Sequence, residues 1–549
     1  MYSIKIKTMK KKLLFSALAG IIFFTTVSFK NDFFEIAKQI EIFTTMYKEL
    51  NMNYVDEVTP ATLMDKAIKG MLEDLDPYTV YWNEQEVEDA RIRNSGTYTG
   101  IGASVKTLKD KIIIMEPFKG YPADEAGLKA GDEIIKVGNT TLADFDDDAG
   151  ELLKGAAGSS VSLTYNRQGK TQTTTLNRRK VDVKAVPYYK LLDDNIGYIV
   201  LQKFNRKTTL ETKAALLDLK EQGANKIILD LRGNPGGLLN EAISIVNLFV
   251  PKGEVITTTK SSIEKYNKVY KTKNEPVDTE IPLVVLVNGR SASASEIVSG
   301  GLQDLDRAVV VGARSFGKGL VQRPKKLTYG TQLKVTISRY YTPSGRCIQA
   351  LDYWNRDENG DPVRVDAKEY NKYTTKGGRT VYDGGGILPD IEVETAVFSP
   401  ITTALLKDQA IFDYATEYHY NNQMADWKGF EFKDSDFRNF LDFLKRKGFS
   451  YETETEKEFA EALRSAEDED IAKEISGDYE ALMQSIDAAK EKKLVAKKAE
   501  IKSLLSDEIL KRYFYKEGLY DYQVVNNPEI LAGIDVLTNE NKYKKILKK

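Results

Sequence analysis

The chain has 549 residues but only one cysteine, Cys347, and one histidine, His419. A single cysteine excludes an intrachain disulfide, and so few His and Cys ligands leave no basis for a zinc-type site. Catalysis through Ser-His-Asp or Cys-His would have to recruit His419 itself. That residue sits in the aromatic stretch Tyr414-Ala-Thr-Glu-Tyr-His-Tyr420, which reads as a helix, and there a packing role is expected. Neither sign of charge dominates. The 79 basic and 81 acidic residues leave a net charge of -2, so nothing favours nucleic acid or an anionic membrane as a general partner.

One apolar run stands out. Lys5, Lys7, Lys10, Lys11 and Lys12 precede the stretch Leu13 to Phe29, the form of a secretory signal. The run is short for a membrane span and contains Thr25, Thr26 and Ser28. Thr26-Val-Ser28 approximates a small-x-small cleavage site, and with no cysteine behind it a lipoprotein anchor is ruled out. The expectation is an exported protein of the periplasm or cell envelope, with an uncleaved N-terminal membrane anchor as the alternative.

Length predicts three or four domains. After the signal region 1–30, residues 31–94 read as helical, with the pattern broken at Leu75-Asp-Pro-Tyr78. Residues 95–180 change to short strands and glycine turns, including Lys111-Ile-Ile-Ile-Met115 and a helix at Glu151-Leu-Leu-Lys154. From 195 onward predicted strands alternate with predicted helices: Ile196 to Val200, helix Leu210 to Gln222, Lys226 to Asp230, helix Leu238 to Val250, Pro282 to Val287, helix Glu296 to Leu305, then Ala308 to Val311. That alternation predicts βαβ units and a mainly parallel sheet. Residues 399–549 are charged and helix-rich and contain no recognisable chemical motif.

Three stretches within 195–325 could carry chemistry. Asn288-Gly-Arg-Ser-Ala-Ser-Ala-Ser-Glu296 crowds three serines between a strand and a helix, where free N–H groups and the helix dipole stabilise developing negative charge. Ser293-Ala-Ser-Glu296 is equally a capping box, and caps are commoner than nucleophiles. With histidine almost absent, the base for a serine must be a desolvated lysine. Lys318 in Ser315-Phe-Gly-Lys-Gly-Leu-Val-Gln322 is flanked by glycines and follows the apolar Val309-Val-Val311. Poising an ammonium that ordinarily titrates near 10.4 for work near pH 7 requires about 4 kcal/mol of selective destabilisation, which burial can supply. A solvated loop lysine is the alternative. Asp230-Leu-Arg-Gly-Asn-Pro-Gly-Gly237, between strand and helix, could present an N–H to an oxyanion or be an ordinary turn.

Gly312-Ala-Arg-Ser-Phe-Gly-Lys-Gly319 also fits a phosphate-binding loop as far as its lysine. Gly319 stands where Ser or Thr should bind magnesium, and Leu320-Val-Gln-Arg-Pro324 reads as extended where a helix should start. Nucleotide binding is therefore rejected.

Together, Gly-Arg-Ser-Ala-Ser-Ala-Ser-Glu-Ile297, Ser-Phe-Gly-Lys-Gly-Leu-Val-Gln322, Asp-Leu-Arg-Gly-Asn-Pro-Gly-Gly237, Arg339-Tyr-Tyr-Thr-Pro-Ser-Gly-Arg346 and Gly386-Ile-Leu-Pro-Asp390 resemble the C-terminal processing peptidases, or tail-specific proteases. The resemblance runs from about residue 31 to 395 and covers the C-terminal part only weakly. It implies a Ser-Lys endopeptidase in which Ser293 is the nucleophile, Lys318 the general base and Gln322 the residue that orients the lysine. Oxyanion donors would be the N–H of Ala294 and that of Gly236 or Gly237, and Glu296 would be either a supporting group or the cap alone. The segment 95–180 is similar to the family's PDZ domain, with Gly100-Ile-Gly-Ala103 as the carboxylate-binding loop and Pro122-Ala-Asp-Glu-Ala-Gly-Leu128 and Gly131-Asp132 behind it. Gly100, Ile101, Gly102 and Ala103 would thus receive a substrate's terminal carboxylate.

The fold expected from the resemblance is mixed α/β: a βαβ-rich peptidase core of the ClpP/crotonase-like type over 181–398, an inserted PDZ domain, N-terminal helices and a C-terminal helical domain over 399–549. The expected activity is cleavage of protein or peptide substrates with exposed apolar C-termini, through an acyl-enzyme, without metal or cofactor. No nucleic acid is implied, and a homo-oligomer or regulatory partner would use the helical regions. The alternative is a catalytically inactive PDZ-containing binding or scaffold protein of the cell envelope.

Overall fold

A computed structural model of the chain describes residues 33–145, 148–357, 360–394 and 398–548. The signal expected over residues 1–30 lies outside the described residues. The chain forms two compact bodies, one ending at Tyr81 and the other beginning at Trp82. In the first, a helix over 33–53 is followed by the helix Pro60–Glu73. Pro60 takes an opening position of its helix, where a missing N–H costs no hydrogen bond. The Tyr47 hydroxyl donates to the Pro60 carbonyl at 2.8 Å and links the two helices. The break at Leu75-Asp-Pro-Tyr78 is a turn in which Asp76 Oδ1 accepts the N–H groups of Tyr78 and Thr79, each at 3.0 Å.

The second body begins with the helix Glu84–Ser95 and a small β domain. The strands Thr97–Gly100 and Arg179–Asp182 pair antiparallel, so this domain leaves and rejoins the chain at one place. Its sheet runs in the order Ala103–Thr107, Ile112–Pro117, Glu133–Val137, Ser160–Arg167, Lys170–Asn177, which leaves Ala103–Thr107 on an edge. Ile112, Ile114, Leu128, Ile134 and Leu163 fill its core. The buried Asp132 is held by the Arg167 guanidinium through two bonds of 2.7 and 2.6 Å. The helix expected at Glu151–Lys154 is instead the 3-10 segment Ala149–Leu153. Gly150 inside it and Gly155 just beyond disfavour propagation of an α-helix, and 3-10 geometry is common in such short pieces.

The βαβ pattern becomes a six-stranded sheet ordered Tyr188–Leu192, Ile196–Val200, Lys226–Asp230, Leu283–Val287, Val309–Gly312, Ile391–Glu392. The first pair is antiparallel and the rest are parallel. The parallel strands are near-continuous Val, Ile and Leu because both faces are covered. One face, with Ile199, Leu229, Val285 and Val310, packs with residues of the helices Thr208–Glu221, Leu239–Asn247 and Ala294–Asp304. The other, with Tyr198, Ile228, Val284 and Val311, is covered by Ile530, Val536, Leu537, Tyr543 and Leu547. These belong to the helices Pro528–Thr538 and Glu540–Leu547 at the far end of the chain. A second, antiparallel sheet includes Val255–Lys260, Lys268–Lys271, Leu320–Lys326 and Gln332–Tyr341. The helices between 400 and 526 form their own core around Tyr414, Phe440, Leu505 and Ile509.

Candidate active site

The three serines after Leu283–Val287 have different surroundings. Ser291 and Ser295 are fully buried, and their hydroxyls donate to backbone carbonyls, Ser291 to Leu231 at 2.8 Å and Ser295 to Asn234 at 2.9 Å. They stitch their loop to the turn 230–237. Ser293, half-buried, borders a cavity of about 340 Å³. Its backbone has φ 55° and ψ -110°, outside the allowed regions for a residue with a Cβ, a strain of about 1–3 kcal/mol that the surrounding bonds must hold. The Ala292 N–H donates to the Asn234 carbonyl at 3.0 Å, and the Tyr340 hydroxyl donates to the Ser293 carbonyl at 3.2 Å.

The turn 230–237 approaches this bend so closely that glycine is required. A Cβ on Gly236, at φ 95°, would lie 2.7 Å from the Ala292 carbonyl oxygen and 2.9 Å from the Ala294 nitrogen. The Gly236 N–H donates to Asn234 Oδ1 at 2.9 Å, whereas Gly237 and Ala294 both line the cavity. Asn234 is itself buried, and its Nδ2 donates to the Leu201 carbonyl at 2.8 Å.

Glu296 is the hub of the site. It is fully buried at the third position of the helix Ala294–Asp304. Its Oε2 accepts the Ser293 N–H at 2.7 Å and the Lys318 N–H at 2.9 Å. Oε1 accepts the Ser315 hydroxyl and the Gly317 N–H, each at 2.6 Å. Burial pushes the Glu296 carboxyl up from its ordinary range, and these four donors pull against that rise. The cap is therefore also a strut between the serine loop and the lysine loop. Tyr340 packs beside it, its phenol pushed far up by burial and by the charge of Glu296.

Lys318 and Gln322 line the same cavity as Ser293. The glycines around the lysine let its loop press on the segment 349–350. A Cβ on Gly317, at φ 88°, would fall 2.4 Å from Ala350 Cβ, and the Gly319 N–H donates to Gln349 Oε1 at 2.7 Å. Gln322 Nε2 donates to Thr336 Oγ1 at 3.1 Å. From behind, Ser315 Oγ accepts the Ile387 N–H at 2.6 Å, so Gly386-Ile-Leu-Pro-Asp390 braces the lysine loop. His419 lies elsewhere, edge-on to Tyr513 with ring centres 4.5 Å apart, on the helix Ala410–Asn421. Burial, Arg512 and Lys129 push its imidazole down from its ordinary range.

In the small domain, the Ile101 and Gly102 carbonyls accept the N–H groups of Ala123 and Phe118 at 2.8 and 2.9 Å. Gly102 has φ 76°, and a Cβ there would meet Tyr121 Cβ at 2.3 Å. Gly100, Ile101 and Gly102 are buried, and Ala103 opens the edge strand.

Sequence reading assigned no role to Tyr340 or Asn234, and for Glu296 it left a supporting group and a mere cap as alternatives, of which its bonds to both loops make it the former. The motif around Tyr340 was visible, but its contact with Ser293 joins residues 47 apart.

Residues 195–353 match the family described as "Peptidase family S41", and residues 99–177 match "PDZ domain". Residues 401–537 match "Probable PDZ-protease, C-terminal helical domain", and residues 25–86 match "Activating protease CtpB N-terminal domain". The chain is 38% identical over 323 residues to a "Carboxy-terminal-processing protease" of Bartonella bacilliformis, covering 57% of this chain and 73% of that one. It is 36% identical over 307 residues to a "Probable CtpA-like serine protease" of Staphylococcus aureus, with 55% and 61% covered. Among solved structures it is similar to a photosystem II D1 C-terminal processing protease, with 28% identity and a TM-score of 0.34 over 59% of this chain and 91% of that one. On the family-model and sequence matches the chain belongs to the carboxy-terminal-processing proteases of peptidase family S41, serine-type peptidases, and it carries a PDZ domain.

Proposed function

We propose that the protein is an exported endopeptidase that captures the apolar C-terminal tail of a protein substrate and cleaves it through an acyl-enzyme on Ser293. Ser293 Oγ attacks the scissile carbonyl carbon while the neutral Lys318 amine takes the hydroxyl proton. The N–H groups of Ala294 and Gly237 receive the oxyanion. Gly237 is preferred to Gly236, whose N–H already serves Asn234. Collapse of the tetrahedral adduct breaks the C–N bond, and Lys318 returns the proton to the leaving amine. Water then attacks the ester carbon as Lys318 takes its proton, the C–Oγ bond breaks to release the carboxylic acid product, and Lys318 returns the proton to Ser293 Oγ. Gln322 lines the same cavity as the lysine and would orient it.

The observation that carries this reading is the shared carboxylate oxygen. Glu296 Oε2 accepts the N–H of both Ser293 and Lys318, which fixes the two loops on one cavity, and the other two serine hydroxyls are committed to carbonyls. For the tail, Ala103–Thr107 lies at the edge of its sheet, where a strand can add, and the carbonyls of Ile101 and Gly102, engaged by Ala123 and Phe118, leave the N–H groups of Gly102 and Ala103 on the opposite side for an arriving carboxylate. Under this reading the PDZ domain occupies 95–180, the peptidase core 181–398 and the helical domain 399–549. Export rests on the basic and apolar residues of the N-terminus. Among the described residues no helix is long and apolar enough to cross a membrane.

The test is degradation of an unfolded protein bearing an apolar C-terminal tail by the wild type, Ser293→Ala and Lys318→Ala. Both variants are expected to lose turnover while remaining folded. Normal turnover in either would overturn the assignment, and a wild type that binds the tail without cleaving it would favour the scaffold reading.

A further inference from the structure

The turn 230–237 has two anchors. Asn234 ties one side of it to the serine loop, as described above. The other anchor reaches into the C-terminal helices. Asp230, buried at the end of its strand, accepts the Tyr198 hydroxyl at 2.6 Å and the Arg232 N–H at 2.9 Å. The Arg232 guanidinium returns to the same carboxylate, Nε to Oδ1 at 2.9 Å and Nη2 to Oδ2 at 2.6 Å. Its remaining arm, Nη1, donates to Asn527 Oδ1 at 2.6 Å and to Glu529 Oε2 at 3.1 Å, almost 300 residues further on. Asn527 Oδ1 also caps the helix Pro528–Thr538 by accepting the Ile530 N–H at 3.1 Å. That helix lies against the central sheet closely enough that a Cβ on Gly533 would touch Leu286, Val284 and Ile228 at 3.3 to 3.5 Å.

We infer that Arg232, Asn527 and Glu529 are positioning residues, through which the C-terminal helical segment fixes the turn that carries the oxyanion-binding N–H. This rests on the reading that Gly237 donates that N–H. The guanidinium is spread flat between Asp230 and the two C-terminal acceptors, a planar geometry that a fork of fixed donors suits and a lysine could not reproduce. Removing Glu529 takes the counter-charge from that side of the guanidinium and leaves Nη1 with Asn527 alone, while removing Asn527 takes its shorter bond, and in either case the five residues to Gly237 must shift to restore the balance. A donor displaced by a fraction of an ångström still permits substrate to bind. It weakens the bond formed only when the carbonyl oxygen becomes an oxyanion.

The consequence is a specific kinetic split. Glu529→Ala in the full chain is expected to lower kcat by about 10- to 100-fold while KM stays within about twofold. Affinity for a peptide boronic acid, which forms a tetrahedral adduct on the serine, should fall in parallel with kcat/KM. Affinity of the tail peptide for the PDZ domain should not change. Glu529→Gln keeps an acceptor for Nη1 and is expected to recover most of the lost rate. Should Glu529→Ala fold poorly, Asn527→Ser supplies the same test, because serine still caps a helix but is too short to reach Arg232. An unchanged kcat in either folded variant, or a loss confined to KM, would overturn the inference. Ser293→Ala separates the two levels: if it is inactive while Glu529→Ala is normal, only the positioning role falls, and if it is active the underlying reading falls with it.

Discussion

Replacing Glu296 by glutamine removes one acceptor oxygen from a carboxylate that serves four donors, and the cost can be worked through from those four bonds. The least damaging orientation keeps the remaining oxygen on Ser293 and Lys318, at the present 2.7 and 2.9 Å. The new NH2 then faces the Ser315 hydroxyl and the Gly317 N–H. The hydroxyl can turn to accept. The Gly317 N–H cannot, and a buried donor left without a partner costs about 1–3 kcal/mol. The two surviving bonds pass from a charged to a neutral acceptor and lose about 1 kcal/mol each. Relief of a buried charge returns part of this, since burial already raises the Glu296 carboxyl. The net is about 2–4 kcal/mol against the assembled geometry, or roughly 30- to 1,000-fold in kcat/KM if the loss falls on the alignment of Ser293 with Lys318. Steady-state hydrolysis of a tail-bearing peptide, with urea unfolding of the same preparation, measures both. A Glu296→Gln enzyme within about threefold of wild type would refute the strut.

Further substitutions probe other parts of the account. Gly236→Ala places a Cβ 2.7 Å from the Ala292 oxygen and should cut kcat by about 100-fold or more in a folded protein; a normal rate would contradict the close packing of the two loops. Asp507 is raised to about 6 by burial, so the native state holds its proton more tightly than the unfolded chain, whose carboxyl titrates near 3.9. Stability from this group is therefore present at low pH and declines as pH rises from about 4 to about 6. Asp507→Asn should abolish that decline and add about 1–3 kcal/mol at pH 8 in denaturant titrations, and a variant less stable at pH 8 would show the sign to be wrong. Amidating the C-terminus of a tail peptide should weaken its calorimetric affinity about tenfold or more, whereas equal affinity would remove the carboxylate from PDZ recognition.

Much of the central sheet was legible because its strands are short apolar runs separated by helical stretches. Ile196–Val200, Lys226–Asp230 and Leu283–Val287 were expected within a residue or so of where they stand. The helix expected at Glu151–Lys154 is a 3-10 segment displaced to Ala149–Leu153, with Gly150 inside it. Least legible was the C-terminal region. Pro528–Thr538 and Glu540–Leu547 fall in a stretch legible only as charged and helix-rich, and their apolar residues find the sheet only across hundreds of residues of chain. Around the serines, the near absence of histidine and the flanking glycines pointed to Lys318, and the family resemblance singled out Ser293 among the three serines. Glu296 read equally well as a cap, since a carboxylate's partners at 315, 317 and 318 leave no local trace.

The central claim is that Ser293, and not Ser291 or Ser295, becomes acylated. Incubation of the wild-type protein with an acylating peptide that ends in an apolar tail, followed by digestion and tandem mass spectrometry, reads this directly. The account expects one adduct, on Ser293, absent from Ser293→Ala and greatly slowed in Lys318→Ala. An adduct on Ser291 or Ser295, or labelling that survives Ser293→Ala, would contradict it.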